Sequence, residues 1–209
     1  MPEMIAQRLV LFLFVITVLQ HSAFSQDSPY PFVHKEYFHK PIFENGQIRV
    51  LNVSASRGDT TAFHRHCYPI LYITLKGTMV SLKEPSSKWK EVELPAGWIG
   101  HDLYQNDSCY VHRFAISGDG NLHIVAIEAL EESEPISLGF APTYRDEGFS
   151  VFEIDSSHLT EIAKSEIPII LIDRACSSKC KVKVIRSKKL SNRVLKKHKG
   201  YAVFFQEQL

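Results

Sequence analysis

The chain has 209 residues, of which 44% are hydrophobic, 22% charged and 11% aromatic, with a formal net charge of +1. That profile belongs to a globular protein of one domain or a little more, and it excludes disordered, collagenous and multi-span membrane chains. A charge so close to zero also excludes nucleic acid as the partner of the chain as a whole.

Arg8 is followed by eleven residues, Leu9 to Leu19, of which only Thr17 is polar. A membrane-spanning helix needs about 20 apolar residues, so this run is too short to be one. Ala23-Phe24-Ser25 then offers small residues at the two positions a signal peptidase inspects. Residues 1–25 therefore read as a secretory signal peptide cut before Gln26, and the mature chain is expected to be secreted or periplasmic with no stable membrane insertion. All four cysteines lie in that mature part and face an oxidising compartment. Four cysteines allow three pairings; the favoured one joins Cys67 to Cys109 and Cys176 to Cys180.

Short runs rich in Val, Ile, Tyr, Thr and Phe follow at Ile48–Val53, Ala62–His66, Ile70–Leu75, Thr78–Lys83, Trp89–Leu94, Tyr110–Ile116 and Leu122–Leu130. Gly, Pro, Asp and Asn turns separate them with no helical pattern between, which predicts a mainly β domain over residues 27–130, a sandwich or barrel. In the hairpin Ser117-Gly118-Asp119-Gly120-Asn121 the glycines can take positive φ. At Glu131 to Pro135 the alternation stops, and residues 135–209 read as a smaller region, a degenerate partial repeat of the first being one reading of it. Strands are predicted there at Phe149–Ile154, Ile167–Ile172, Lys181–Arg186 and Tyr201–Gln206, with a short helix at Ser156–Lys164. From Arg174 to Lys199 there are eleven Lys or Arg and no acid. Alternation of these positives with Val182 and Val184 reads as a solvated strand face.

Three of the ten histidines carry the functional signal. His64 and His66 are two apart on a predicted strand and so point to one face, where both imidazoles can reach one metal ion. His112 lies on another predicted strand, and three neutral imidazoles from two strands form a facial set with open positions beside it. Strand alternation also turns Tyr68, Ile70, Tyr72 and Thr74 inward, as candidate pocket residues with Tyr68 nearest the rim. His34, His39, His158 and His198 have no partner by spacing. The nearest acids, Asp59 and Asp102, lie in predicted loops, so no general acid or base and no reaction can be assigned.

Reading outwards from the pair, Gly58 precedes His64-Arg65-His66 by five residues and Gly77 follows after ten. This stretch resembles the first motif of the cupin superfamily, with both glycines and both histidines in place and Ile70 standing where the family has Glu. His112, followed at the right distance by the Gly-rich hairpin and Leu122 to Glu128, is the preferred third ligand. His101, one residue late after Pro95-Ala96-Gly97, is the alternative. The resemblance covers about residues 46–130. It implies a double-stranded β-helix, the cupin jelly-roll barrel, with a smaller β-rich C-terminal extension. It also implies one divalent transition metal held by His64, His66 and His112, with iron the first expectation and Mn, Ni or Zn the others. A three-histidine site occurs in that superfamily in oxygen-using iron enzymes such as thiol dioxygenases. The expected functions are accordingly a metal oxidoreductase of dioxygenase type acting on a small molecule, or a non-catalytic cupin that binds a small molecule or sugar. Cupins often pair through their outer sheet faces, and Leu71, Ile73 and Leu75 make such a face apolar here, so a homodimer is a further expectation.

Overall fold

A computed structural model of the chain describes residues 28–104, 109–131, 133–134, 136–146, 148–154, 169–173, 182–185, 200–204 and 206–207. The expected signal peptide, the helix at 156–164, Cys176 with Cys180, and most of the basic stretch lie outside those residues. Among the described residues no helix is long and apolar enough to cross a membrane.

Nine strands build the first region: β1 (His39–Glu44), β2 (Ile48–Ala55), β3 (His64–His66), β4 (Ile70–Lys76), β5 (Thr78–Lys83), β6 (Lys90–Leu94), β7 (Ile99–Asp102), β8 (Tyr110–Ile116) and β9 (Leu122–Ala129). They form two antiparallel sheets, β1-β2-β9-β4-β7 and β3-β8-β5-β6. Alternate residues of both sheets meet between them: Leu51, Val53, Ile70, Leu122, Ile124 and Ala126 from one, Val80, Phe114 and Ile116 from the other. The result is a double-stranded β-helix, or jelly roll. All seven strands predicted for this region form, and two more appear at the two edges of the five-stranded sheet. Those two, β1 with Pro41 and β7 with Gly100, carry residues that weaken a strand signal but are tolerated at an edge.

The two motif glycines have different physical reasons. Gly58 has φ +86°, in the left-handed region that glycine enters without strain. Gly77 instead lies so close to the backbone of Leu94, Pro95 and Ala96 that a Cβ would collide with it. In the β8–β9 hairpin the expectation of positive φ does not hold, because the left-handed glycines among the described residues are Gly58 and Gly97. Gly118 is required there by close approach, since a Cβ would run into Thr78 and Met79.

The remaining strands are β10 (Ser133–Glu134), β11 (Tyr144–Arg145), β12 (Ser150–Glu153), β13 (Ile169–Asp173), β14 (Val182–Ile185), β15 (Gly200–Phe204) and β16 (Gln206–Glu207). They form a second five-stranded sheet, β11-β12-β15-β13-β14, and the small β10-β16 ladder. One face of this sheet lays Phe149, Val151, Ile170, Ile172, Tyr201 and Val203 on Ile48, Val50, Leu71, Ile73, Val125 and Ile127 of the barrel's outer face. Its other face buries Phe152, Leu171, Ala202 and Phe204 with Ile136. Burial on both faces explains the unbroken apolar run of β13. The outer face on which a second copy was expected to pair is thus covered by the chain's own C-terminal sheet.

Candidate metal centre

β3 is short, but it is pinned along its length. Arg65 donates its amide to the Pro31 carbonyl at 2.9 Å on one side, and β8 pairs with β3 on the other. At the ends of these strands a disulfide joins Cys67 to Cys109. The register sets His64 directly opposite His112 and His66 opposite Tyr110. Side chains two apart share a face, so His64, His66 and His112 converge.

Their ring centroids form a near-equilateral triangle of 5.0 Å for His64 with His66, 4.7 Å for His64 with His112 and 4.9 Å for His66 with His112. His64 and His66 are buried. His64 Nδ1 lies 3.0 Å from the Ala62 carbonyl, to which it can only donate, so its Nε2 carries the lone pair. That Nε2 is buried with no partner, as are Nδ1 of His66 and of His112. Each unpaired buried polar atom costs about 1–3 kcal/mol, an expense that packing alone does not justify. The Nε2 atoms of His66 and His112 are 2.9 Å apart. Two nitrogens bound at right angles to one ion at about 2.1 Å stand about 3.0 Å from each other, so the pair has the spacing of neighbouring metal ligands. The three histidines can hold a metal ion.

Electrostatics favours the ligating form. Burial first, then the Coulomb effect of His39, lowers His64 to about 4. Burial also holds His66 and His112 well below the usual histidine value, with neighbouring imidazoles adding to it. All three are therefore neutral at pH 7, with free lone pairs.

Two residues that spacing did not reveal complete the cluster. His39, on β1, packs its ring 4.5 Å from that of His64 and 6.3 Å from that of His66. Its Nδ1 donates to Glu36 Oε2 at 2.7 Å. The same carboxylate accepts the amides of Phe38 at 2.8 Å and Ala62 at 3.3 Å. Burial opposes the ionisation of Glu36, but these hydrogen bonds outweigh it and hold its carboxyl below the usual range. Glu36, His39 and His64 form a second group of potential ligands. The one sequence hint was the three-residue step from Glu36 to His39.

His101 is not in the cluster. It pairs with Leu71, whose side chain faces outward, and it accordingly turns to Tyr144 and Asp146 on the other side of the sheet. One residue of register carries a strand side chain to the opposite face. At Gly100, the place the second cupin motif would give to its histidine, the missing side chain makes room for the Trp98 indole.

Beside the triad lies a cavity of about 360 Å³, bounded by His39, His66 and His112. Most of its wall is apolar: Val53, Val80, Leu82, Leu94, Phe114, Leu122 and Ile124. Trp98, 39% exposed, stands at its mouth stacked on Tyr72. Of the four residues expected in the pocket, Tyr72 lines it. Ile70 and Thr74 are buried in the barrel, and Tyr68 is half-buried outside the cavity wall. The polar patch in the wall comes instead from Tyr104, which donates to Asp102 at 2.8 Å, with Tyr72 beside them. Burial raises the Tyr72 and Tyr104 hydroxyls, and the neighbouring Asp102 raises them further, so both stay protonated. Asp59, by contrast, accepts the Ser56 amide in its own exposed turn.

A jelly roll whose His-x-His strand lies antiparallel to the strand of a third, facing histidine decides the fold. The barrel has the double-stranded β-helix fold of the cupins. No family model matches the sequence, and no curated protein is similar to it. Among solved structures the barrel is similar to a cupin domain from Bordetella pertussis Tohama I, at 17% identity over 49% of this chain and 97% of that one, TM-score 0.39. An RmlC-like cupin protein from Methanocaldococcus jannaschii matches at 12% identity over 51% and 85% of the two chains, TM-score 0.35. The polyketide cyclase RemF from Streptomyces resistomycificus matches at 16% identity over 50% and 71%, TM-score 0.35. The histidine cluster differs from the cupin motif at Ile70, which is buried in the barrel core and gives the site no carboxylate.

Proposed function

We propose that this chain is an exported cupin that binds one divalent transition metal through His64, His66 and His112 and uses it in oxidoreductase chemistry of dioxygenase type on a small molecule. Iron is the first candidate, with Mn, Ni and Zn the others. The observation that carries the reading is the 2.9 Å approach of two imidazole Nε2 atoms beside a buried, unpartnered third. Bound there, an ion with open positions supplies redox or Lewis-acid chemistry. The chain's own residues do the rest. The apolar wall excludes water and holds an apolar body, with Tyr72 and Trp98 among the aromatic residues of that wall. Tyr104 and Asp102 orient a hydroxyl or carbonyl of that body. His64, His66 and His112 are neutral ligands, so an ion held by them would keep its +2 charge and favour a substrate with an anionic oxygen or sulfur.

The test is reconstitution with Fe(II), Mn(II), Ni(II) or Zn(II), followed by oxygen-uptake measurements with phenols, enols and thiols small enough for the cavity. The reading expects oxygen consumption with iron, abolished by His66→Ala. Metal uptake with ligand binding by calorimetry, but turnover with none of the metals, would replace it with a non-catalytic cupin that binds a small molecule or sugar.

A further inference from the structure

Among the described residues that line the cavity there is no Lys or Arg, and Asp102 carries the one negative charge. Four aromatic side chains share the wall with it: Tyr72, Trp98, Tyr104 and Tyr110. We propose that the cavity takes a small organic cation, a methylated ammonium group held against these rings and Asp102. That such a cation is a substrate rests on the metal-centre reading above, whereas its binding does not.

The rings form two pairs. Tyr104 and Tyr110 stack with centroids 5.8 Å apart and planes 6° from parallel, and Tyr72 and Trp98 stack at 6.5 Å and 26°. Trp98 is exposed and Tyr104 and Tyr110 are half-buried, so part of this aromatic surface is left to a ligand rather than used in the core. A ring face carries negative potential and attracts a cation within about 6 Å of its centroid. Asp102 adds a full charge at the same place. Its Oδ2 accepts the Tyr104 hydroxyl at 2.8 Å, with the Tyr72 hydroxyl beside it, so the carboxylate is fixed among the rings.

The chain's own cations nearby are turned away. Arg65, Lys83 and Arg113 each adjoin an inward-facing residue of their strand, and they lie over Phe32, Trp89 and Phe63 on the opposite face of the sheet. Within the cavity, the rings and Asp102 are therefore left for a cation brought by a ligand.

Hydrogen bonding selects the kind of cation. A primary ammonium brings three N–H donors, and the wall is mostly apolar. Asp102 already accepts from Tyr104, so some of those donors would lose water without gaining a partner. A methylated ammonium spreads its charge over C–H groups that need no acceptor, the kind of cation that aromatic faces recognise. Tyr104 packs on His66 at 5.8 Å and Tyr110 on His112 at 5.0 Å, which sets the cation next to the metal centre. A substrate that also carries an anionic oxygen or sulfur then sets its two charges against two opposite ones, Asp102 and the ion.

Calorimetry of the mature protein as purified, with metal content measured on the same preparation, tests this with two probes: choline and its uncharged isostere, in which a tert-butyl group replaces the trimethylammonium group. Choline is expected to bind at least about 10-fold more tightly than the isostere, and Asp102→Asn and Trp98→Ala, each folded by circular dichroism, to remove most of that preference. Equal binding of the two probes, weaker binding of choline, or binding of neither to the wild type would overturn the proposal whether or not the variants fold; so would a preference that survives in both folded variants. A preference for choline in a chain that takes up no metal would refute the three-histidine reading and leave the cation site standing, and metal uptake without the preference would do the reverse.

Discussion

Lowering the pH should strip stability from the barrel in a window set by its buried histidines. His64 falls from the ordinary histidine value of 6.5 in the unfolded chain to about 4 in the folded one, chiefly through burial. Between these values the unfolded chain holds a proton that the folded chain does not, so the folded state loses ground as pH falls, and the loss is complete below about 4. For His64 alone that difference is worth about 3 kcal/mol. His66 and His112 are lowered by burial too and act in the same direction. Glu36 and Glu44, held below the usual carboxylate range, add losses only further down, and Glu128, raised by burial, acts the other way. Urea unfolding of the metal-free protein from pH 7.5 to 4, compared with His64→Leu, isolates the contribution. The wild type should lose about 3 kcal/mol more than the variant across the window, and added metal should steepen the loss because protons compete for the same nitrogens. Equal pH slopes in the two proteins would refute a neutral, buried His64.

Three further outcomes follow from named contacts. Replacing Cys67 and Cys109 by serine opens a bridge of sequence separation 42, which should cost about 4 kcal/mol by loop entropy and lower the thermal midpoint by ten degrees or more. Arg49 donates to the buried Glu128 at 2.7 Å and to the exposed Glu44 at 2.7 Å, so Arg49→Met, which leaves the Glu128 charge buried and unpaired, should cost about 3–5 kcal/mol in urea unfolding, and pairing it with Glu128→Leu should recover most of that. Gly77→Ala should fail to accumulate as folded protein by circular dichroism, since its Cβ collides with rigid backbone at Leu94 to Ala96, whereas Gly46→Ala, with open space, should fold normally.

The barrel was legible because its strands alternate, and because most inward positions are apolar or a histidine, with the buried Arg49–Glu128 pair and Thr74 as exceptions. The triad was legible for the same reason: parity put His64 and His66 on one face, and the turn after His112 put its strand beside theirs. His39 was hidden since its contact with His64 is made by an edge strand across the barrel mouth, a tertiary relation that spacing does not encode. The pocket wall was half read. Tyr72 follows from alternation, while Tyr104, Asp102 and Trp98 come from β7 and its flanks, where glycines blur the strand signal. His101 shows the opposite hazard, a residue one place out of register and so on the wrong face. The apolar outer face was legible as well, but not its occupant, because sequence pattern marks a surface that must be covered without saying by what.

The most direct test of the central claim is metal analysis of the untagged mature protein beside His64→Ala and His112→Ala, with circular dichroism to confirm that both variants fold. The account predicts about one transition metal per wild-type chain and a loss of at least tenfold in metal retention in each variant. A wild-type chain that neither carries nor takes up Fe, Mn, Ni or Zn, or variants that retain metal at the wild-type level, would contradict it.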